Sequence, residues 1–136
     1  MEFLDIVNDQ DEVIGQAARE DVYKDFLNHR IVHVIIKNKK GQIALQLRNR
    51  NLKKFPLHWC VAGSGHVQAG ETYAQAAQRE LQEETGIKDQ VQFVGKDVFV
   101  FKAEKPIKKF ITVKYASLSH KKNKMQLSMK KLSNII

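Results

Sequence analysis

Residues 65–87 read Gly65-His66-Val67-Gln68-Ala69-Gly70-Glu71-Thr72-Tyr73-Ala74-Gln75-Ala76-Ala77-Gln78-Arg79-Glu80-Leu81-Gln82-Glu83-Glu84-Thr85-Gly86-Ile87. From 71 to 85 there is no glycine or proline, and Gly86 stands where a left-handed residue ends a helix, so the pattern predicts one long helix over 71–85. At about 100° per residue, with Glu80 set at zero, Glu84 falls near +40° and Glu83 near −60°. Tyr73 and Ala76 share that stripe, whereas Ala74, Ala77 and Leu81 gather on the adjoining side and are expected to face the core. Two carboxylates ~6 Å apart at an effective dielectric of about 20 repel by on the order of 3 kcal/mol before screening. A hard divalent cation reverses that term, because such ions take carboxylate, water and phosphate oxygens. The alternative is a solvent-facing acidic stripe relieved by salt, Arg79 and Lys88.

Outward from the helix the chain reads as strands and turns. Residues 1–18 suggest a hairpin around the polar cluster 8–11, followed by a short helical turn within 19–27. Residues 31–36 and 43–47 are expected to form a second hairpin about the turn 38–41. Residues 49–58 are polar and basic with Pro56, hence a loop, and 59–62 read as a short strand. Residues 91–101 and 107–118 are apolar and β-branched and read as paired strands. The fold class expected is α/β (α+β), one domain over 1–136.

The 136 residues, 43% hydrophobic and 28% charged, have the balance of one soluble globular domain. No apolar run could span a bilayer, the N-terminus has no secretory pattern, and the single Cys60 forms no internal disulfide. A cytoplasmic protein with no membrane partner is expected. The net charge of +8 belongs to segment 105–136, which holds nine lysines and no acid. That segment reads as a solvated C-terminus or as an electrostatic footprint for RNA, anionic lipid or polyphosphate.

The spacing G-x5-E-x7-R-E-U-x-E-E-x-G-U, with U apolar, is met at every defined position by 65–87 and resembles the Nudix box of the Nudix hydrolase superfamily. The resemblance implies an α/β/α sandwich with a mixed sheet and one long Glu-rich helix. It implies a Mg²⁺-dependent (alternatively Mn²⁺-dependent) pyrophosphatase, MutT-like, cleaving the diphosphate of a small nucleoside diphosphate derivative or related compound. By the same resemblance Glu80 and Glu84 are the primary metal ligands. Glu83 is a further ligand or the base for the attacking water, and the Gly65 carbonyl lies by the metal and substrate. Glu71 and Arg79 make a structural ion pair. Glu104 is the candidate for a further carboxylate supplied by a distant loop.

A narrower resemblance runs through His29-Arg30, residues 41–48, Pro56-Leu57-His58-Trp59 and Ser64-Gly65-His66-Val67, which look like the isopentenyl-diphosphate isomerase branch. Ser64 occupies the place of that branch's catalytic cysteine, so a hydrolase is expected; Cys60 reads as a small buried thiol. Arg48 and Lys53 are candidates for holding phosphates, Arg by a bidentate fork and Lys as a point charge. His29, His33, His58 and His66 are read singly as packed or half-buried histidines, and Phe55 and Trp59 as packing residues. Segment 125–132 lacks the tryptophan and acids that usually close this branch. The competing classes are a non-catalytic nucleotide- or RNA-binding domain and, behind it, the isomerase. The oligomeric state is left open, with a dimer as one option.

Overall fold

Asn8 closes the N-terminal hairpin: its Oδ1 accepts from the backbone N–H of Gln10 and of Glu12, so the chain reverses between β1 (Phe3–Val7) and β2 (Val13–Ala18). The computed structural model describes residues 1–38, 40, 42–53, 55–102 and 107–118. After β2 come α1 (Arg19–Lys24), β3 (His29–Lys37), β4 (Leu45–Leu47), β5 (Trp59–Val61) and β6 (Gly63–His66). The long helix α2 (Tyr73–Thr85) and the strands β7 (Val91–Lys102) and β8 (Ile107–Leu118) complete the order.

The central sheet runs β6-β3-β8-β7. β3 and β8 are parallel, and the β6–β3 and β8–β7 pairs are antiparallel, giving the mixed sheet of the expected α+β class. Val32, Val34 and Ile36 alternate along β3 and pack with Ala62, Ala77 and Leu81. A smaller cluster of Leu4, Ile6 and Val22 joins the hairpin to α1. No described helix is long and apolar enough to cross a membrane.

Three expectations are corrected. The second hairpin survives only at its turn, through the Lys37↔Ile43 bridge and Ala44 N–H donating to Ile36 O. Beyond it the chain turns aside and β4 pairs with β5 in a separate two-stranded sheet. The helix begins at Tyr73, not residue 71, because Thr72 takes the N-cap in a reciprocal capping box with Gln75. Ala74 is exposed, and Ala76 joins Ala77 and Leu81 in the core. Gly86 ends the helix at φ 73°, as expected. Glu104 and the basic segment beyond residue 118 lie outside the described residues.

Asp11 ties the hairpin turn to three other elements. Its carboxylate accepts from Arg30 Nε at 2.6 Å, Tyr73 Oη at 2.8 Å and Lys96 Nζ at 2.5 Å. Burial would raise this carboxyl's pKa, but the bonds from Lys96, Arg30 and Tyr73 outweigh it and hold the group below its ordinary value. A depressed folded pKa contributes stability that is present above the unfolded pKa and lost as pH falls through the folded one. Asp11→Asn keeps a residue tolerant of the local φ of 64°. It is expected to cost about 2 kcal/mol at pH 7, with the deficit shrinking below about pH 4. Urea denaturation of both proteins across that range checks it.

Candidate active site

The loop between β6 and α2 is braced from two sides. Ala69 N–H donates to Phe3 O at 2.8 Å, Gly70 N–H donates to the buried Asp5 carboxylate at 3.1 Å, and Val67 N–H donates to Arg30 O. Gly70 turns the chain at φ 77°, a conformation that favours glycine. From α2, Arg79 reaches back with a full fork: Nε and Nη2 donate to the two oxygens of Glu71 at 2.8 and 2.9 Å. Nη2 also donates to His66 O at 2.9 Å, and Nη1 donates to Glu80 Oε1 at 2.6 Å. Burial pushes the Glu71 carboxyl up, but Arg79 and the Gln68 N–H more than offset it, so its pKa lies below the ordinary value. One guanidinium thus fastens loop, strand and helix together.

The carboxylate stripe of α2 faces inward. Glu80 is 6% and Glu84 4% exposed, whereas the Glu83 side chain is 54% exposed. A solvated acidic face would show the reverse, so screening by salt does not account for this stripe. Burial raises the Glu80 pKa, the charges of Glu83 and Glu84 add to the rise, and Arg79 opposes it. Gly65 on β6 leaves the room: a Cβ there would lie inside the Glu80 carboxylate, with Oε2 at 2.7 Å. The space beside Gly65 is taken by the Glu80 carboxylate itself, and two buried carboxylates on one helical turn suit a hard divalent cation. Arg79 Nη1 holds one oxygen of Glu80, and Glu83 shares a separate outer groove with Arg79, Gln75 and Gln82. Among the described residues no three His, Cys, Asp or Glu side chains are grouped closely enough to surround an ion. A cation at Glu80 would have to compete with Arg79 for that oxygen. Gly65→Ala is expected to cost about 1–3 kcal/mol of stability by overpacking and to weaken Mn²⁺ binding, checked by melting and metal titration.

On the other side, Glu84 opens into a cleft of about 500 Å³. Ser64 and Cys60 form part of its wall, with Arg48, Asn49 and Asn51 from the basic loop. Arg48 lines the cleft. Lys53 lies exposed in the same loop and is not among the described lining residues. Cys60 is not a fully buried core thiol: it is half-buried at the wall, where burial pushes its thiol pKa up, Glu84 adds to this, and Arg48 opposes it.

Arg19, at the start of α1, also lines the cleft. Sequence reasoning passed over it because it precedes the box by more than forty positions. Two of the histidines read singly come together: the His29 and His66 rings stand 5.5 Å apart, and Tyr23 Oη lies 2.6 Å from His66 Nε2.

The NUDIX domain family model matches residues 27–132. The chain belongs to the Nudix family. An uncharacterised Nudix hydrolase of Nostoc sp. is 42% identical over 88 residues, which are 64% of this chain and 52% of the relative. A Nudix hydrolase of Deinococcus radiodurans is 38% identical over 86 residues, 63% of this chain and 50% of that protein. This Nudix chain spans about half the length of these relatives. Among solved structures, the DR0079 protein of Deinococcus radiodurans superposes with a TM-score of 0.77 at 26% identity, over 99% of this chain and 82% of the other. The NUDIX domain of Shewanella oneidensis NrtR, solved with ADP ribose, shares the fold at a TM-score of 0.61 and 15% identity, over 88% of this chain and 82% of that one.

Proposed function

We propose that this Nudix domain is a divalent-metal-dependent pyrophosphohydrolase, working with Mg²⁺ or Mn²⁺, that cleaves the diphosphate bond of a small nucleoside diphosphate derivative or related compound. The observation that carries the reading is the inward-facing pair Glu80 and Glu84, with the Glu80 carboxylate packed on Gly65 and Glu84 opening into a cleft that bears Arg48. Glu80 and Glu84 would hold the ion, with the Gly65 carbonyl as a further oxygen donor and Glu83, on the outer groove, reaching it through water. When bound, the ion supplies charge neutralisation at the phosphoryl oxygens and acidifies a coordinated water. Arg48 orients phosphate by its fork, and its Nε bond to Phe55 O at 3.1 Å holds that fork in place. A carboxylate of the stripe accepts the proton of the attacking water. Arg79 and Glu71 keep the loop and helix in register for this.

Ser64 lines the cleft where the isomerase branch would place a thiol, and a serine hydroxyl is a poor proton donor to an alkene. Hydrolysis is therefore the reading we adopt over isomerisation, and cytoplasmic action on a small molecule over binding of RNA. The test is a panel of diphosphate compounds with Mg²⁺ or Mn²⁺, reading released phosphate and monophosphate. Turnover that chelator abolishes is expected. Tight RNA binding with no phosphate release, or double-bond migration in isopentenyl diphosphate, would overturn it.

A further inference from the structure

The walls of the cleft narrow the substrate, on the assumption that the chain is the hydrolase proposed above. In the β4–β5 pair, Gln46 lies opposite Cys60 and Leu47 opposite Trp59. Paired residues share a face and neighbours alternate, so one register decides which side chains enter the cleft. Gln46 and Cys60 line it. Leu47 and Trp59 are thereby turned to the opposite face, where Trp59 is 48% exposed. Phe55, from the same loop region, stands edge-on to the exposed His58 ring at 5.5 Å between centroids, is itself exposed, and is not among the described residues that line the cleft. A nucleobase is ordinarily held by an aromatic platform. Among the described lining residues, Leu52 is the one sizeable apolar side chain, and none is aromatic.

The groups that do line the cleft favour another ligand chemistry. Glu84 sits in it as an acid, and two guanidinium groups, Arg19 and Arg48, sit in it as cations. They come from separate elements, Arg19 from α1 and Arg48 from the loop after β4. Arg19 leans on Glu2 at 3.4 Å and lies over the Tyr23 ring at 5.9 Å, contacts that hold a half-exposed side chain near the cleft. The amides of Asn49 and Asn51 offer both donors and acceptors, which suits hydroxyl groups. A cleft with a carboxylate for the cation-bound diphosphate, two arginines for a further anion and amides for hydroxyls matches a phosphorylated, hydroxylated ligand.

We propose that the substrate is a diphosphate ester of a phosphorylated sugar or polyol, with Arg19 and Arg48 binding the phosphate remote from the reaction. Water attacks the terminal phosphorus and the bridging P–O bond breaks. The water oxygen leaves in orthophosphate, its proton passes to a stripe carboxylate, and the bridging oxygen stays on the sugar monophosphate ester.

The probes are 5-phosphoribosyl 1-diphosphate, the common nucleoside diphosphates and isopentenyl diphosphate. The expected result is a kcat/KM at least tenfold higher for the phosphorylated sugar than for any nucleoside diphosphate or the isoprenoid. Arg19→Gln is expected to raise its KM about tenfold with kcat within about twofold, and Arg19→Lys to recover part of the loss. Calorimetry with ribose 5-phosphate in the absence of metal should show the same weakening in Arg19→Gln, with melting temperature as the check on folding. Nucleoside diphosphates turned over equally well or better, or an unchanged KM and unchanged ribose 5-phosphate affinity in a folded Arg19→Gln, would overturn the inference and leave the hydrolase standing. Absence of turnover on every diphosphate would overturn both.

Discussion

Glu84→Gln is expected to lower kcat for metal-dependent diphosphate hydrolysis by about a thousandfold, or ~4 kcal/mol of transition-state stabilisation. The substitution keeps the volume and shape of a side chain that is 4% exposed, so the packing around it is preserved. It also removes one of the buried charges that push the Glu80 pKa upward. The melting temperature without metal is therefore expected to stay level or rise. Activity lost from an intact fold assigns Glu84 to the chemistry. Steady-state kinetics beside a thermal melt make the test, and turnover within tenfold of the parent would contradict the assignment.

Arg79→Ala should produce the largest loss of stability. The guanidinium donates to both oxygens of Glu71, to the carbonyl of His66 and to Glu80. Deleting it strands a carboxylate that is 6% exposed and removes the group that joins Glu71 and the His66 carbonyl to the body of the helix. Breaking a largely buried ion pair from one side costs several kcal/mol, and with the Arg79 side chain 22% exposed about 3 kcal/mol is expected. In a domain of this size that corresponds to a fall of roughly 10 °C. Arg79→Lys should recover less than half, because an ammonium cannot span Glu71 bidentately and reach His66 O as well. A melt within about 2 °C of the parent for Arg79→Ala would show that the fork is not what holds the loop to the helix.

Much of the architecture was legible because local signals agreed with tertiary ones. The helix carried its own stop at Gly86, and the long apolar runs of β7 and β8 announced their pairing. The parallel partnership of β3 with β8 was not legible, since it joins segments some eighty residues apart with no local mark. β4 was misplaced for a related reason. Its turn does belong to β3, but β5 competes successfully for its ladder bonds.

On α2 the box spacing singled out Glu80, Glu83 and Glu84, and periodicity put Ala77 and Leu81 in the core without saying that two of the carboxylates are buried beside them. Solvent exposure separated Glu83 from the other two, and Arg79 proved to hold an oxygen of Glu80. Arg19 and the Tyr23–His29–His66 group are products of folding: α1 and the start of β3, which pairs with β6, bring distant residues together. No spacing rule in the chain marks them.

Titration with Mn²⁺ followed by electron paramagnetic resonance, without substrate, reads the ion directly. The parent protein is expected to remove free Mn²⁺ signal at sub-millimolar concentration, and the Glu80→Gln/Glu84→Gln double variant, folded by circular dichroism, to leave it unchanged. Equal binding by the two proteins, or none by the parent, would mean that the buried carboxylates of α2 serve some purpose other than holding a cation.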